Sequence, residues 1–260
     1  MVLFMYGIIL SFDDWAPFVD LLLHKYSQLW PDYPIIFRIP YNTTLPYFAN
    51  KYKNIQFVKT SKEFIPTIQA LLDGIGDNQF IYWAIDDTYP IIITKPSVLT
   101  GCVNYLQNAP SYVDAIRLMT SELDVQFKEP SIIVNNEIFK FRTPFAFRWF
   151  WSHHFVKAKI IRSLFLKSGI KNIWQVNGFD TKIDKVLPSF IHNIFLPEID
   201  ILTAGETTRS CYDGCPGLYV TKNCLYDMNK SGIIPPLKYK PCDCAVYNNR
   251  RYSGTRIIET

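Results

Sequence analysis

Two adjacent carboxylates, Asp86 and Asp87, close the apolar run Phe80-Ile81-Tyr82-Trp83-Ala84-Ile85 and are followed by Thr88-Tyr89-Pro90. A run with almost no polar residue reads as a strand buried on both faces. Burying an unpaired charge is costly, so the pair belongs at the strand's mouth. In open α/β sheets, ligands collect outside the carboxyl ends of the strands. Oxygen ligands on short stems suit a hard cation, Mn²⁺ or Mg²⁺, and through it a diphosphate. The competing reading of the pair alone is a turn or a helix N-cap. Pro90 argues against a central strand continuing beyond the pair.

Other polar residues are expected at the same edge. Ser11, Asp13, Asp14 and Asn42 follow the first two strand candidates, where they suit a base and ribose or ordinary turn chemistry. Neither G-x-G-x-x-G nor G-x-x-x-x-G-K-[ST] occurs in the chain. From Ile138 to Phe179 there is no acidic residue, whereas Lys140, Arg142, Arg148, Lys157, Lys159, Arg162, Lys167 and Lys171 are basic. Phe145, Phe147, Trp149, Phe150, Trp151 and Phe155 are interleaved with them. Such a segment suits donor phosphates, with Arg142 and Arg148 as contacts, or peripheral contact of residues 138–179 with an anionic membrane. A core-packed helix with a solvated basic face fits it equally. His153-His154, read on a helix, would point in different directions, which favours surface or capping roles, with one of them as a ligand or general base the alternative. Five of six cysteines fall late, at 211, 215, 224, 242 and 244. Reduced thiols, disulfides and zinc all remain open for them.

The elements that must hold these groups alternate. Met1–Ser11 reads as a strand. Phe18, Leu21, Leu22, Tyr26 and Leu29 form a helical stripe, with Asp13 or Asp14 as cap and Pro17 in the first turn. Strands are expected at 35–39 and 55–58, a helix from Ser61, as its N-cap, to Leu72 ended by Gly74, a helix over 96–106, and a turn at 134–137. Alternation of this kind predicts an α/β fold with a mostly parallel sheet flanked by helices. The chain's 260 residues, 48% hydrophobic and 19% charged, suit one large domain with a sizeable core. A net charge of +4 does not mark a nucleic-acid binder. No stretch reaches the ~20 apolar residues of a membrane span, and the opening strand lacks the basic start of a signal peptide. A cytoplasmic protein, peripheral at a membrane at most, is expected.

Three stretches together resemble the nucleotide-sugar-dependent glycosyltransferases of the GT-A fold, in particular short microbial and viral members. They are Leu29-Trp30-Pro31-Asp32-Tyr33-Pro34-Ile35 with the strand to Asn42, then Phe80 to Tyr89, and then Gly205-Glu206-Thr207-Thr208-Arg209 with Gly217 and residues 222–233. The likeness implies a single GT-A (Rossmann-like) domain over 1–235, with a nucleotide-binding half (1–107), an acceptor half (108–235) and an extension over 236–260. It implies sugar transfer from a nucleoside-diphosphate sugar to a hydroxyl of a glycan, glycolipid or glycoprotein. Asp86 and Asp87 stand where the family's Asp-x-Asp holds Mn²⁺ or Mg²⁺. Where similar sequences carry a carboxylate after a tryptophan, this chain has Trp174-Gln175. The general base an inverting enzyme needs then falls to Asp180, with Glu137 and Glu206 behind it. A retaining enzyme, or a non-catalytic protein that binds carbohydrate or nucleotide sugar on the same fold, is the alternative.

Overall fold

The computed structural model describes residues 4–119, 128–142, 152–167, 193–210, 218–236 and 240–241. Four strands, β1 (Met5–Leu10), β2 (Ile35–Tyr41), β3 (Ile55–Lys59) and β4 (Phe80–Ile85), run parallel in the order β3-β2-β1-β4. Helix α1 (Ala16–Leu29) links the first two and α2 (Phe64–Leu71) the last two. Period-two alternation divides the side chains between two cores. Ile9, Phe37, Tyr82 and Ala84 meet α1 on one face, while Ile8, Leu10, Ile81 and Trp83 meet α2 on the other.

Beyond β4 the sheet becomes mixed. β6 (Ala115–Arg117), β7 (Lys128–Val134), β8 (Glu137–Arg142), β9 (His154–Lys157) and β10 (Ile194–Pro197) complete the order β3-β2-β1-β4-β9-β6-β10-β8-β7. In this half only β6 and β10 pair in parallel. β9 comes from the second half of the chain yet sits directly against β4, so both halves share one sheet. Helix α3 (Pro96–Leu106) joins the α1 face, and α4 (Ala158–Lys167) joins the α2 face through Ile161, Leu164 and Phe165. This is the expected α/β architecture, Rossmann-like in its first half, and its elements fall close to their expected places. The hairpin turn at Asn135-Asn136 is tightened by positive φ at both residues, 46° and 64°.

Outside the main sheet, β5 (Thr88–Ile93) pairs antiparallel with β11 (Leu202–Glu206). Pro90 is tolerated because this sheet has only two strands and a register shift lies opposite, between Thr203 and Ala204. A third small sheet joins β12 (Thr208–Ser210), β13 (Leu218–Val220) and β14 (Lys240–Pro241), and α5 (Lys222–Lys230) follows β13. Two residues of the expected C-terminal extension thus pair with β13, while residues 237–239 and 242–260 of it lie outside the described residues. Among the described residues no helix is long and apolar enough to cross a membrane.

Two capping expectations are corrected. Neither Asp13 nor Asp14 caps α1, whose N-cap is Trp15 with no side-chain bond. Ser61 does not cap α2 either. The N-cap is Glu63, whose amide donates to the Ser61 hydroxyl at 3.2 Å.

Gly7 sets how closely β2 packs on β1. A Cβ there would lie 2.5 Å from Ile35 Cγ2 and 2.6 Å from Phe37 Cδ1, both in the core. Gly7→Ala is expected to cost about 1–3 kcal/mol as an overpacked core substitution. Urea denaturation checks this, and an unchanged midpoint would mean that β2 yields freely.

Candidate functional site

Parallel pairing brings the carboxyl ends of β1, β2 and β4 to one edge. Leu10 is level with Ile85, so Ser11 and Asp86 are the residues that leave β1 and β4 side by side. The Asp86 amide donates to the Leu10 carbonyl at 3.3 Å. The strand order 3-2-1-4 reverses between these two strands, with α1 and α2 on opposite faces. Such a reversal opens a crevice in which α/β proteins bind ligands. Ser11 and Asp86 bracket it.

Asp86 is half-buried, and one oxygen of its carboxyl is held away from water. Its Oδ2 is buried and has no hydrogen-bond partner among the described residues. Desolvation pushes its pKa well above the usual carboxylate range. A hydrogen bond from Ser11 pulls the other way, and the charge of Asp87 adds to the rise. A group in this condition fits a cation, whose charge offsets both the burial and the neighbouring carboxylate. Among the described residues no group of three or more His, Cys, Asp or Glu could hold a metal. The remaining ligands would be diphosphate oxygens and water, which is how Mg²⁺ is commonly held.

Two anchors fix the turn from behind. Thr207, fully buried between β11 and β12, donates its hydroxyl to the Asp86 carbonyl at 3.0 Å. Its amide donates to the Asp87 carbonyl at 2.8 Å. On the other side, Thr88 Oγ1 lies 2.9 Å from His153 Nε2. His153 Nδ1 meets the Tyr26 hydroxyl, which in turn lies 2.6 Å from that of Tyr82. His153 and His154 are both fully buried at the start of β9. This corrects the helical, surface reading of the pair. Burial holds their pKa values down to about 4 and about 3, so both rings are neutral.

Other expected site residues take different places. Both oxygens of Asp13 are engaged: Oδ1 accepts from the Asn42 amide at 2.7 Å, and Oδ2 from the Thr43 amide and hydroxyl at 2.8 and 2.6 Å. Desolvation raises its pKa, but these bonds outweigh it and leave the value lowered. The Asn42 amide group donates to Thr60 and Ser61. The two residues therefore brace the loops after β1 and β2.

Glu137 does not join the aspartates. It lies at the same edge but four strands from β4, on the order of 19 Å at the usual spacing, and it is paired with Lys95. Arg142 ends β8, which runs antiparallel to β10 and has Arg142 opposite Ile194, so the residue lies at the other edge of the sheet. It is not placed to meet a ligand at Asp86. Asp180, Arg148, Trp174 and Gln175 lie outside the described residues. Cys224 is a buried free thiol in the core. The other late cysteines lie outside the described residues.

Thr207 and His153 were the residues that sequence reasoning missed as neighbours of the aspartates. The stretch Gly205 to Arg209 carried one signal, because a glycine beside polar residues marks a close approach. A Cβ on Gly205 would meet Ile91 Cδ1 at 2.5 Å, and Gly205 lies opposite Tyr89 in the strand pair.

No family model matches the chain, and no curated protein matches it. Among solved structures, the galactosyltransferase LgtC in complex with donor and acceptor sugar analogs shows 12% identity and a TM-score of 0.39, covering 74% of this chain and 73% of its own. An active-site mutant of LgtC shows 10% identity and a TM-score of 0.39 over 95% and 94%. S. aureus TarS shows 14% identity and a TM-score of 0.40, with 75% of this chain matching 35% of that one. Likeness at this level decides neither reaction nor substrate.

Proposed function

We propose that the chain is a metal-dependent glycosyltransferase of the GT-A type. It moves a sugar from a nucleoside-diphosphate sugar to a hydroxyl of a glycan, glycolipid or glycoprotein. The observation that carries this reading is the desolvated Asp86 carboxyl at the reversal of strand order, beside Ser11 and next to Asp87. Asp86 and Asp87 would hold Mn²⁺ or Mg²⁺, and the ion when bound offsets charge gathering on a diphosphate leaving group. Ser11 stands beside Asp86 at the mouth of the crevice. Asp13 and Asn42 keep the loops after β1 and β2 in place, so the crevice between β1 and β4 has fixed walls on one side.

Calorimetric titration with nucleoside diphosphates and nucleotide sugars, in Mn²⁺ and then in chelator, tests the reading. One nucleotide is expected to bind only with metal, and both Asp86→Ala and Asp87→Ala are expected to lose it. Silence across a complete panel would reduce the aspartates to turn residues. Binding without sugar turnover on any acceptor would favour the non-catalytic alternative.

A further inference from the structure

We infer that Thr207 is a positioning residue for the aspartate turn, and that the site is therefore completed by the C-terminal part of the chain. The inference rests on the proposed metal–diphosphate role of Asp86 and Asp87. The directions of the two carboxylates depend on how the peptide planes of the turn between β4 and β5 are set. Here both planes are fixed by one residue. The Thr207 hydroxyl bonds the Asp86 carbonyl and the Thr207 amide bonds the Asp87 carbonyl, at 3.0 and 2.8 Å. Fixing those carbonyls fixes where each Cα–Cβ bond leaves the backbone.

Thr207 is itself held. Its carbonyl accepts from the Thr221 amide at 3.0 Å, and Thr221 is the N-cap of α5, its hydroxyl accepting from the Cys224 amide at 3.2 Å. A continuous path of hydrogen bonds runs from α5 through Thr221 and Thr207 to the aspartates. Preorganised ligands of this kind bind an ion more tightly than the same ligands on a loose turn.

Thr207→Val removes the hydroxyl bond at nearly constant shape and keeps the amide, whereas Thr207→Ser keeps both. The probe is Mn²⁺ with inorganic pyrophosphate, followed by the electron paramagnetic resonance of free Mn²⁺, with thermal melts run alongside. Thr207→Val is expected to weaken Mn²⁺–pyrophosphate binding about tenfold, the equivalent of one lost hydrogen bond. Thr207→Ser is expected to restore it to within about threefold. A merely structural residue would lower the melting temperature and leave affinity unchanged, and that result overturns the inference alone. Equal impairment of both variants overturns it as well. Hydrogen exchange on the wild-type protein gives a readout that needs no variant: amides over 205–208 are expected to exchange more slowly when Mn²⁺ and pyrophosphate are present, and unchanged exchange counts against the inference. Wild-type protein that retains no Mn²⁺ with pyrophosphate would overturn the proposed function, and the positioning role with it.

Discussion

Asp86→Asn is expected to abolish metal-dependent nucleotide binding and, in the same protein, to raise stability by about 1 kcal/mol at neutral pH. In a chain of this size that corresponds to about 2 °C in melting temperature. The two effects have one cause. A desolvated carboxyl whose Oδ2 finds no hydrogen-bond partner among the described residues disfavours its own ionised form in the absence of a cation. Asparagine keeps the shape without the charge. The sign of the pH dependence follows from the raised pKa. Over the range between the unfolded and folded values, the folded protein holds a proton that the unfolded chain has released. Wild-type stability therefore falls as pH rises through that range. The advantage of Asp86→Asn should grow with pH and vanish as pH drops toward about 4, the unfolded carboxylate value. Mn²⁺ should stabilise the wild type and not the variant, and its affinity should rise with pH because ion and proton compete for one group. Melting curves at several pH values, with and without Mn²⁺, contain all of these comparisons. A variant no more stable than wild type would mean that the carboxyl is satisfied without a cation.

The second large effect is acid lability arising from His153 and His154. Both rings are buried and neutral, with pKa values near 4 and 3 against an ordinary 6.5. Below pH 6.5 the unfolded chain takes up protons at these positions while the folded protein does not. Stability is thus fully present above pH 6.5 and is lost as pH falls toward the folded values. Each such group contributes up to about 1.4 kcal/mol per pH unit, so the pair should remove about 2–4 kcal/mol between pH 6.5 and 5. Chemical denaturation across that interval measures the slope. His153→Gln, which cannot take up a proton there, is expected to halve the slope while lowering stability at every pH, because Tyr26 and Thr88 lose a partner. An unchanged slope would show that the ring is hydrated in the native state.

Much of this was legible in the sequence because it depends on local pattern. The buried run ending in Asp86, the Pro96–Leu106 helix and the Asn135-Asn136 turn each carry their signal within a dozen residues. What the sequence could not show was pairing across long separations. Nothing near Arg142 or Glu137 says that β8 runs antiparallel to β10, or that three strands separate it from β4. Those two facts remove both residues from the site. The histidine pair was misplaced because its strand is only four residues long and follows a segment rich in aromatic and basic residues. Asp13 and Asn42 were placed at the right edge, but their mutual hydrogen bonding is a tertiary fact. The likeness of Gly205–Arg209 to a known closing segment did mark a stretch that matters, though not that Thr207 would face the turn.

Thr207 also sets a schedule. It meets Asp86 across 121 residues of sequence, so a ribosome must have released most of the chain before the aspartate turn can be locked. The first four strands and their helices can gather early, yet the nascent chain would carry two unclamped carboxylates until the segment around Thr207 emerges. On the proposed metal role, synthesis itself then delays a competent site until the segment around Thr207 has been made.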